Sequence, residues 1–291
     1  MRYIFKKARH ICLAFLCFST LPSCQSLTAS GAYRNADSLA LSSRWEGQFL
    51  ETPHFTLKSY LAPQRNADGP MVIYIEGDGY AWVKQNWASP DPTPRKPFML
   101  DVALQDRFYN AAYLARPCQY VIDAGLGVNC RTALWTDARF HRVVVADMNN
   151  AIDKLLAQRS HRGLILVGGS GGGTIAMLLA AQRSDISAII TLSGLINHQS
   201  WTRYHDISPL GQSMNPAALY AKIAPTKQLH LLASEDDVIP PELSKYELKR
   251  LRDLSPATVD WQEVSGLDHN CCWSKYWAEH YQDIIGRLAS R

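Results

Sequence analysis

The chain has 291 residues, 47% of them hydrophobic and 19% charged, which is an ordinary globular composition with room for one large domain or two small ones. Its formal net charge of +4 is accounted for by Arg2, Lys6, Lys7 and Arg9, which stand near the start with no acid among them. Without those four, 26 Lys and Arg face 26 Asp and Glu, so the basicity gives no reason to propose nucleic-acid binding.

The chain opens on "MRYIFKKARH", followed by "ICLAFLCFSTL", an apolar run too short to span a membrane comfortably. That order is the layout of a secretory signal. The run ends in Leu21-Pro22-Ser23-Cys24. These residues resemble a bacterial lipoprotein signal, in which an aliphatic residue and two mostly small ones precede a lipidated cysteine; Pro22 is the looser match. The resemblance implies that residues 1–23 are removed and that Cys24 is acylated. The protein would then be exported to the cell envelope and held on a membrane by its lipid anchor. Gln25, standing where Asp does not, points to the outer membrane. Residues 24–44, small and polar, read as a tether, and a single domain over 45–291 is the simplest division.

Strand-like and helix-like segments then alternate. "HFTLKSYLA" (54–62) alternates as a half-exposed edge strand does. "MVIYIEG" (71–77) is a short apolar run ending in glycine, as buried parallel strands do. "FYNAAYLARP" (108–117) is a weaker strand. Helical spacing of Val145, Met148, Ile152 and Leu155–Leu156 predicts a helix over 141–159. "RGLILVGG" (162–169) reads as a buried strand and "TIAMLLAAQR" (174–183) as a helix. Three further strands are predicted at 186–194, 227–234 and 258–266, with helices at 241–254, opened by a proline, and 273–289. This alternation predicts a mostly parallel twisted sheet covered by helices on both faces, with ligands beyond the carboxyl ends of the strands.

Of the seven cysteines, Cys12 and Cys17 would leave with the signal and Cys24 would be lipidated. Cys118, Cys130, Cys271 and Cys272 remain, an even number in an oxidising compartment. A Cys118–Cys130 bridge is expected to close a short loop containing Gly125 and Gly127 and to fix a rim of the cleft. Cys271 and Cys272 are left free or joined as neighbours. No C-x-x-C is present, and neither a metal nor a cofactor is called for.

The residues that carry chemistry begin with Gly168-Gly169-Ser170-Gly171-Gly172, which fits G-x-S-x-G between a strand run and a helix run. A nucleophile held on a tight strand-to-helix turn requires small neighbours. A P-loop is excluded because Thr174-Ile175 stands where its Lys-Ser/Thr pair would be. A serine hydroxyl is a weak nucleophile and requires a base oriented by a carboxylate. The acids lie in "LHLLASEDDVIPPE", where a strand gives way to polar residues and then to Val238-Ile239-Pro240, and "VSGLDHNCCW" supplies His269 between a strand and the last helix.

With these three motifs in order, each at a strand end, roughly residues 71–269 resemble an α/β-hydrolase. The resemblance implies the α/β-hydrolase fold with a small cap insert, formed here by the irregular stretch 197–222. It implies Ser170 as nucleophile, Asp236 as acid (with Asp237 as the alternative) and His269 as base. The oxyanion donors would be the backbone N–H of Gly171 and of Asp78 (with Gly79 as the alternative) in "YIEGDGYAW". Glu76 stands where the family usually has His, and an Asp78 carboxylate near a developing oxyanion would repel it unless turned away. Tyr80, Trp82 and Trp87 are candidates for the pocket lining. Gly169 and Gly171 exceed the motif's demands and are expected to leave the serine accessible, while Gly173 lets the helix approach the sheet. The implied activity is hydrolysis of a small-molecule or lipid acyl ester through an acyl-enzyme. An amidase, peptidase or thioesterase would use the same machinery. A non-catalytic envelope protein on the same fold is the competing reading.

Overall fold

The apolar runs between residues 46 and 264 are laid side by side in a sheet. A computed structural model describes residues 29–84 and 86–289. The signal segment and Cys24 lie outside the described residues.

Among the described residues the strands are β1 (Glu46–Glu51), β2 (Thr56–Leu61), β3 (Asn66–Ile75), β4 (Trp82–Lys84), β5 (Trp87–Ala88), β6 (Tyr109–Leu114), β7 (Leu164–Gly169), β8 (Ile186–Leu192), β9 (Lys227–Ala233) and β10 (Val259–Val264). The helices are α1 (Ala29–Ser42), α2 (Phe98–Ala103), α3 (Arg142–Leu156), α4 (Gly171–Ala180), α5 (His198–Tyr204), α6 (Tyr220–Ile223), α7 (Pro241–Arg252) and α8 (Trp273–Ala289). The main sheet has the order β1-β2-β6-β3-β7-β8-β9-β10, and β4 with β5 forms a separate hairpin. Within the main sheet β1 with β2 and β2 with β6 pair antiparallel, and the pairs from β6 through β10 are parallel; β4 and β5 are antiparallel to each other. No helix among the described residues is long and apolar enough to cross a membrane.

The pleat divides the core in two. In β3, Met71, Ile73 and Ile75 face a layer built from α3, α4 and α7, while Val72 and Tyr74 face α1, α2 and α8. This is why "MVIYI" reads as unbroken apolar: both faces are covered. On the second face Trp277 Nε1 donates to Tyr74 Oη (3.1 Å), which in turn donates to Asp106 Oδ2 (3.0 Å).

Three expectations change. Residues 29–42 of the expected tether are helix α1, seated on the domain by Ala32, Ala36 and Ala40. Small residues four apart make one flat stripe that lets the helix approach closely. Asp37 on α1 accepts from Tyr60 Oη (2.8 Å) and pairs with Lys58 Nζ (2.9 Å), whose ammonium also lies over the rings of Tyr33, Phe49 and Tyr60. That cage explains the second change. The polar Lys58 makes β2 read as an edge, yet β2 is interior and β1 is the edge. Third, "FYNAAYLARP" is a central strand: every residue of β6 is buried between β2 and β3.

Candidate active site

β7 ends at Gly169 and α4 begins at Gly171, leaving Ser170 at φ 50°, ψ −121°. A non-glycine residue there is held by its surroundings. Ser170 N donates to Leu192 O (3.0 Å), and Ser170 O accepts from Gly173 N (3.0 Å) and Leu195 N (3.1 Å). The motif glycines are required by close approach. A Cβ on Gly168 would lie 2.3 Å from Gly172 O, and one on Gly172 would lie 2.3 Å from Ile75 O. The additional glycines are equally constrained. A Cβ on Gly169 would lie 2.2 Å from Phe98 Cε1, and one on Gly171 would lie 2.2 Å from Asp78 Oδ1. Gly169 and Gly171 thus make room for α2 and for the Asp78 carboxylate.

The turn after β9 presents Asp236, nearly fully buried. Its Oδ1 accepts from Val238 N (3.0 Å) and Ile239 N (2.7 Å). His269, on the loop after β10, donates from Nδ1 to Asp236 Oδ2 (2.8 Å) and Oδ1 (3.0 Å). Burial raises the Asp236 pKa, but the hydrogen bonds and charge of His269 and the Ile239 amide outweigh it, and the carboxyl ends below its ordinary value. An ionised Asp236 fixes the His269 tautomer with the proton on Nδ1, so Nε2 accepts from Ser170 Oγ at 3.1 Å. Asp237 is exposed and takes no part in this chain of hydrogen bonds. Asp268 Oδ1 accepts from Asn270 N (2.8 Å) and Cys271 N (2.7 Å), closing the turn that carries His269.

The loop after β3 faces Ser170 from the other side. The Asp78 carboxylate, packed on Gly171, pairs with Arg139 Nη1 (2.6 Å) and Arg116 Nη1 (3.3 Å), both buried. Burial alone would raise its pKa; the two guanidinium groups hold it below the ordinary value. Arg116 Nη2 also donates to the Arg139 carbonyl, and Gln119 Nε2 donates to Gly77 O (3.0 Å), bracing the loop from behind. Glu76, 2% exposed, accepts from Gly77 N (2.9 Å), Tyr113 Oη (3.0 Å) and Met99 N (3.4 Å). Burial nevertheless dominates and pushes its pKa up to about 7.

These residues border a cavity of about 760 Å³. Tyr80, Trp82, Phe98, Leu195 and Trp201 supply aromatic and aliphatic wall, with Trp201 coming from the 197–222 insert and tied by Nε1 to Val238 O (2.7 Å). Trp87 does not border it. Cys118 and Cys130 are bonded to each other, as are Cys271 and Cys272. The 118–130 loop sits beside the β1–β2 turn, where Asn129 Nδ2 donates to His54 O (2.6 Å), and so does not form a rim of this cavity. Among the described residues no group of three or more His, Cys, Asp or Glu could hold a metal.

Arg116, Arg139, Phe98 and Trp201 are the residues that sequence reasoning missed. A carboxylate in the Gly77-Asp78-Gly79 turn was the available signal for the two arginines, since a buried charge demands a partner.

No protein-family model and no curated protein sequence matches the chain. Solved structures do resemble it. A Pyrococcus furiosus esterase superposes with a TM-score of 0.62 at 13% identity, covering 87% of this chain and 94% of the esterase. A putative dienelactone hydrolase from Klebsiella pneumoniae gives 0.59 at 16% identity, covering 85% and 98%. A Pyrococcus horikoshii acylaminoacyl peptidase gives 0.60 at 12% identity, covering 85% of this chain; the chain spans 42% of that peptidase's length. Sheet order, parallel crossovers and these superpositions give the chain the α/β-hydrolase fold.

Proposed function

We propose that the protein is a serine hydrolase that cleaves a carboxylic ester or a related acyl bond. The observation that carries the reading is the continuous chain of hydrogen bonds from Ser170 Oγ through His269 to Asp236, on the elbow bordering the cavity. Solved esterases and a peptidase of the same fold add support. In the reaction, Ser170 Oγ attacks the carbonyl carbon as its proton passes to His269 Nε2. Asp236 holds the imidazole and stabilises the imidazolium. The carbonyl oxygen becomes an oxyanion. Neither the Gly171 nor the Asp78 amide donates to another group among the described residues, and both are assigned to that oxygen. The leaving alcohol takes the proton from His269. Water, deprotonated by His269, then attacks the acyl-enzyme, and His269 returns that proton to Ser170 Oγ as the acid leaves.

Asp78 can serve as an amide donor because two arginines neutralise its carboxylate. The sequence of residues 1–24 supports export and anchoring through acylated Cys24, and incorporation of labelled palmitate that Cys24→Ala abolishes is the expected result.

The test of the activity is a fluorophosphonate probe. Labelling of wild type at Ser170, lost in Ser170→Ala along with turnover of short acyl esters, is expected. Folded protein that resists the probe, with Ser170→Ala matching wild type on an ester panel, would overturn the reading in favour of a binding protein.

A further inference from the structure

The charged groups around the cavity are unevenly committed. Both of its carboxylates are engaged: Asp78 by Arg139 and Arg116, and Glu76, buried, by three hydrogen-bond donors. Arg139 is held in turn by Asp78 and the Thr136 carbonyl. Two cations are left at the mouth. Arg95 and Lys96 both border the cavity and are exposed. Neither makes an ion pair with a carboxylate among the described residues; the cavity's ion pairs are those of Asp78 with the two arginines and of His269 with Asp236. Arg95 is nevertheless held in place, its guanidinium stacked 3.6 Å over the Tyr80 ring. A stacked guanidinium keeps its in-plane N–H donors free, the geometry that receives a carboxylate or a phosphate. Phe98, Leu195, Trp201 and Ile239 give the same cavity apolar surface.

We infer that the substrate carries an anionic group, a carboxylate or a phosphate monoester, which Arg95 and Lys96 receive at the mouth of the cleft while its hydrocarbon part lies on the apolar wall beside Ser170. This rests on the hydrolase reading. It names the substrate as an amphipathic anionic ester and makes Arg95 and Lys96 specificity residues. A cationic ester would meet the same two groups and be repelled.

The test compares matched ester pairs. One pair puts the charge on the acyl side: para-nitrophenyl pentanoate against mono-para-nitrophenyl glutarate. The other puts it on the alcohol side: monobutyrylglycerol against its phosphate monoester. The two pairs distinguish a carboxylate on the acyl chain from a phosphorylated headgroup. In at least one pair the anionic member is expected to have a kcat/KM about tenfold higher, the order that two solvated cations supply. That ratio should fall toward one in Arg95→Gln/Lys96→Gln and at about 0.5 M salt, where exposed charges are screened. It should survive Arg95→Lys in part. Where an ester is not turned over, its protection of Ser170 from the fluorophosphonate is compared within the pair in the same way. A wild-type ratio of one or less in both pairs, or a preference unmoved in the double variant, overturns the inference while probe labelling of Ser170 leaves the hydrolase reading standing. Failure of the probe to label Ser170 together with no turnover of any ester overturns the hydrolase reading itself.

Discussion

Glu76 makes stability depend on pH in a direction opposite to most carboxylates. Its side chain sits beneath the loop that carries Asp78, and burial pushes its pKa from 4.5 to about 7. The native carboxyl therefore keeps its proton to higher pH than the unfolded one does. Between those values the native state binds more protons, so the contribution to stability is full below pH 4.5 and is lost as pH rises to about 7. That displacement corresponds to about 3 kcal/mol, with no discount for screening because the group is almost fully buried. Glu76→Gln mimics the protonated acid. Its Oε1 keeps the amides of Gly77 and Met99, and its Nε2 donates to Tyr113 Oη, whose proton turns toward Tyr120 Oη, 3.5 Å away. Urea denaturation of both proteins from pH 4 to 8 isolates the effect, since the other titrating groups cancel in the difference. The variant is expected to gain on wild type by about 3 kcal/mol between pH 4.5 and 7.5 and to run parallel outside that window. A difference that stays constant across the whole range would mean that Glu76 releases its proton at the same pH in the folded and the unfolded chain, and the argument from burial would fail.

Asp236→Asn should lower kcat by about 10⁴ by releasing the His269 tautomer, while exposed Asp237→Asn stays within about twofold of wild type; steady-state kinetics on one activated ester checks both. Gly171→Ala places a methyl 2.2 Å from Asp78 Oδ1 and must displace either the carboxylate or the elbow. A fall in kcat of about 10²-fold, the scale of one lost oxyanion donor, is expected with far-ultraviolet dichroism unchanged. Asp37→Asn removes the carboxylate that pairs with buried Lys58 and accepts from Tyr60. Asp37 is itself partly solvated, so the cost should be about 2 kcal/mol, read as a drop in urea midpoint at unchanged slope.

What the sequence makes legible here is whatever one short segment decides by itself. "LILVGGSGGG" announces a buried strand, a turn that excludes side chains and a helix start, and the elbow follows it residue for residue. Asp236 and His269 are readable for the same reason, because each lies at the end of its own strand beside a turn signal. The segments that misled do so through partners far away in the chain. Lys58 makes β2 look solvated only until Asp37 and three aromatic rings, from α1, β1 and β2 itself, close around it. The 24–44 stretch looks like a tether because alanines carry little hydrophobic signal, although Ala32, Ala36 and Ala40 repeat at the helical interval that lets a backbone approach.

Asp78 shows where the two kinds of information meet. Read locally, an acid in the turn facing the nucleophile is a liability, since its charge would oppose the oxyanion. The fold answers with Arg116 and Arg139, 38 and 61 residues further along, whose guanidinium groups reach the same carboxylate. The two guanidiniums offset the Asp78 carboxylate, so in the proposed mechanism its charge would not oppose an oxyanion formed beside Ser170. Gly171 has to be glycine for the same arrangement, because a Cβ there would occupy the place of Asp78 Oδ1. The glycine at the elbow, the acid in the facing turn and the two distant arginines are therefore one unit: replacing Gly171 brings a Cβ against the carboxylate, and replacing Asp78 leaves two buried guanidiniums without their anion.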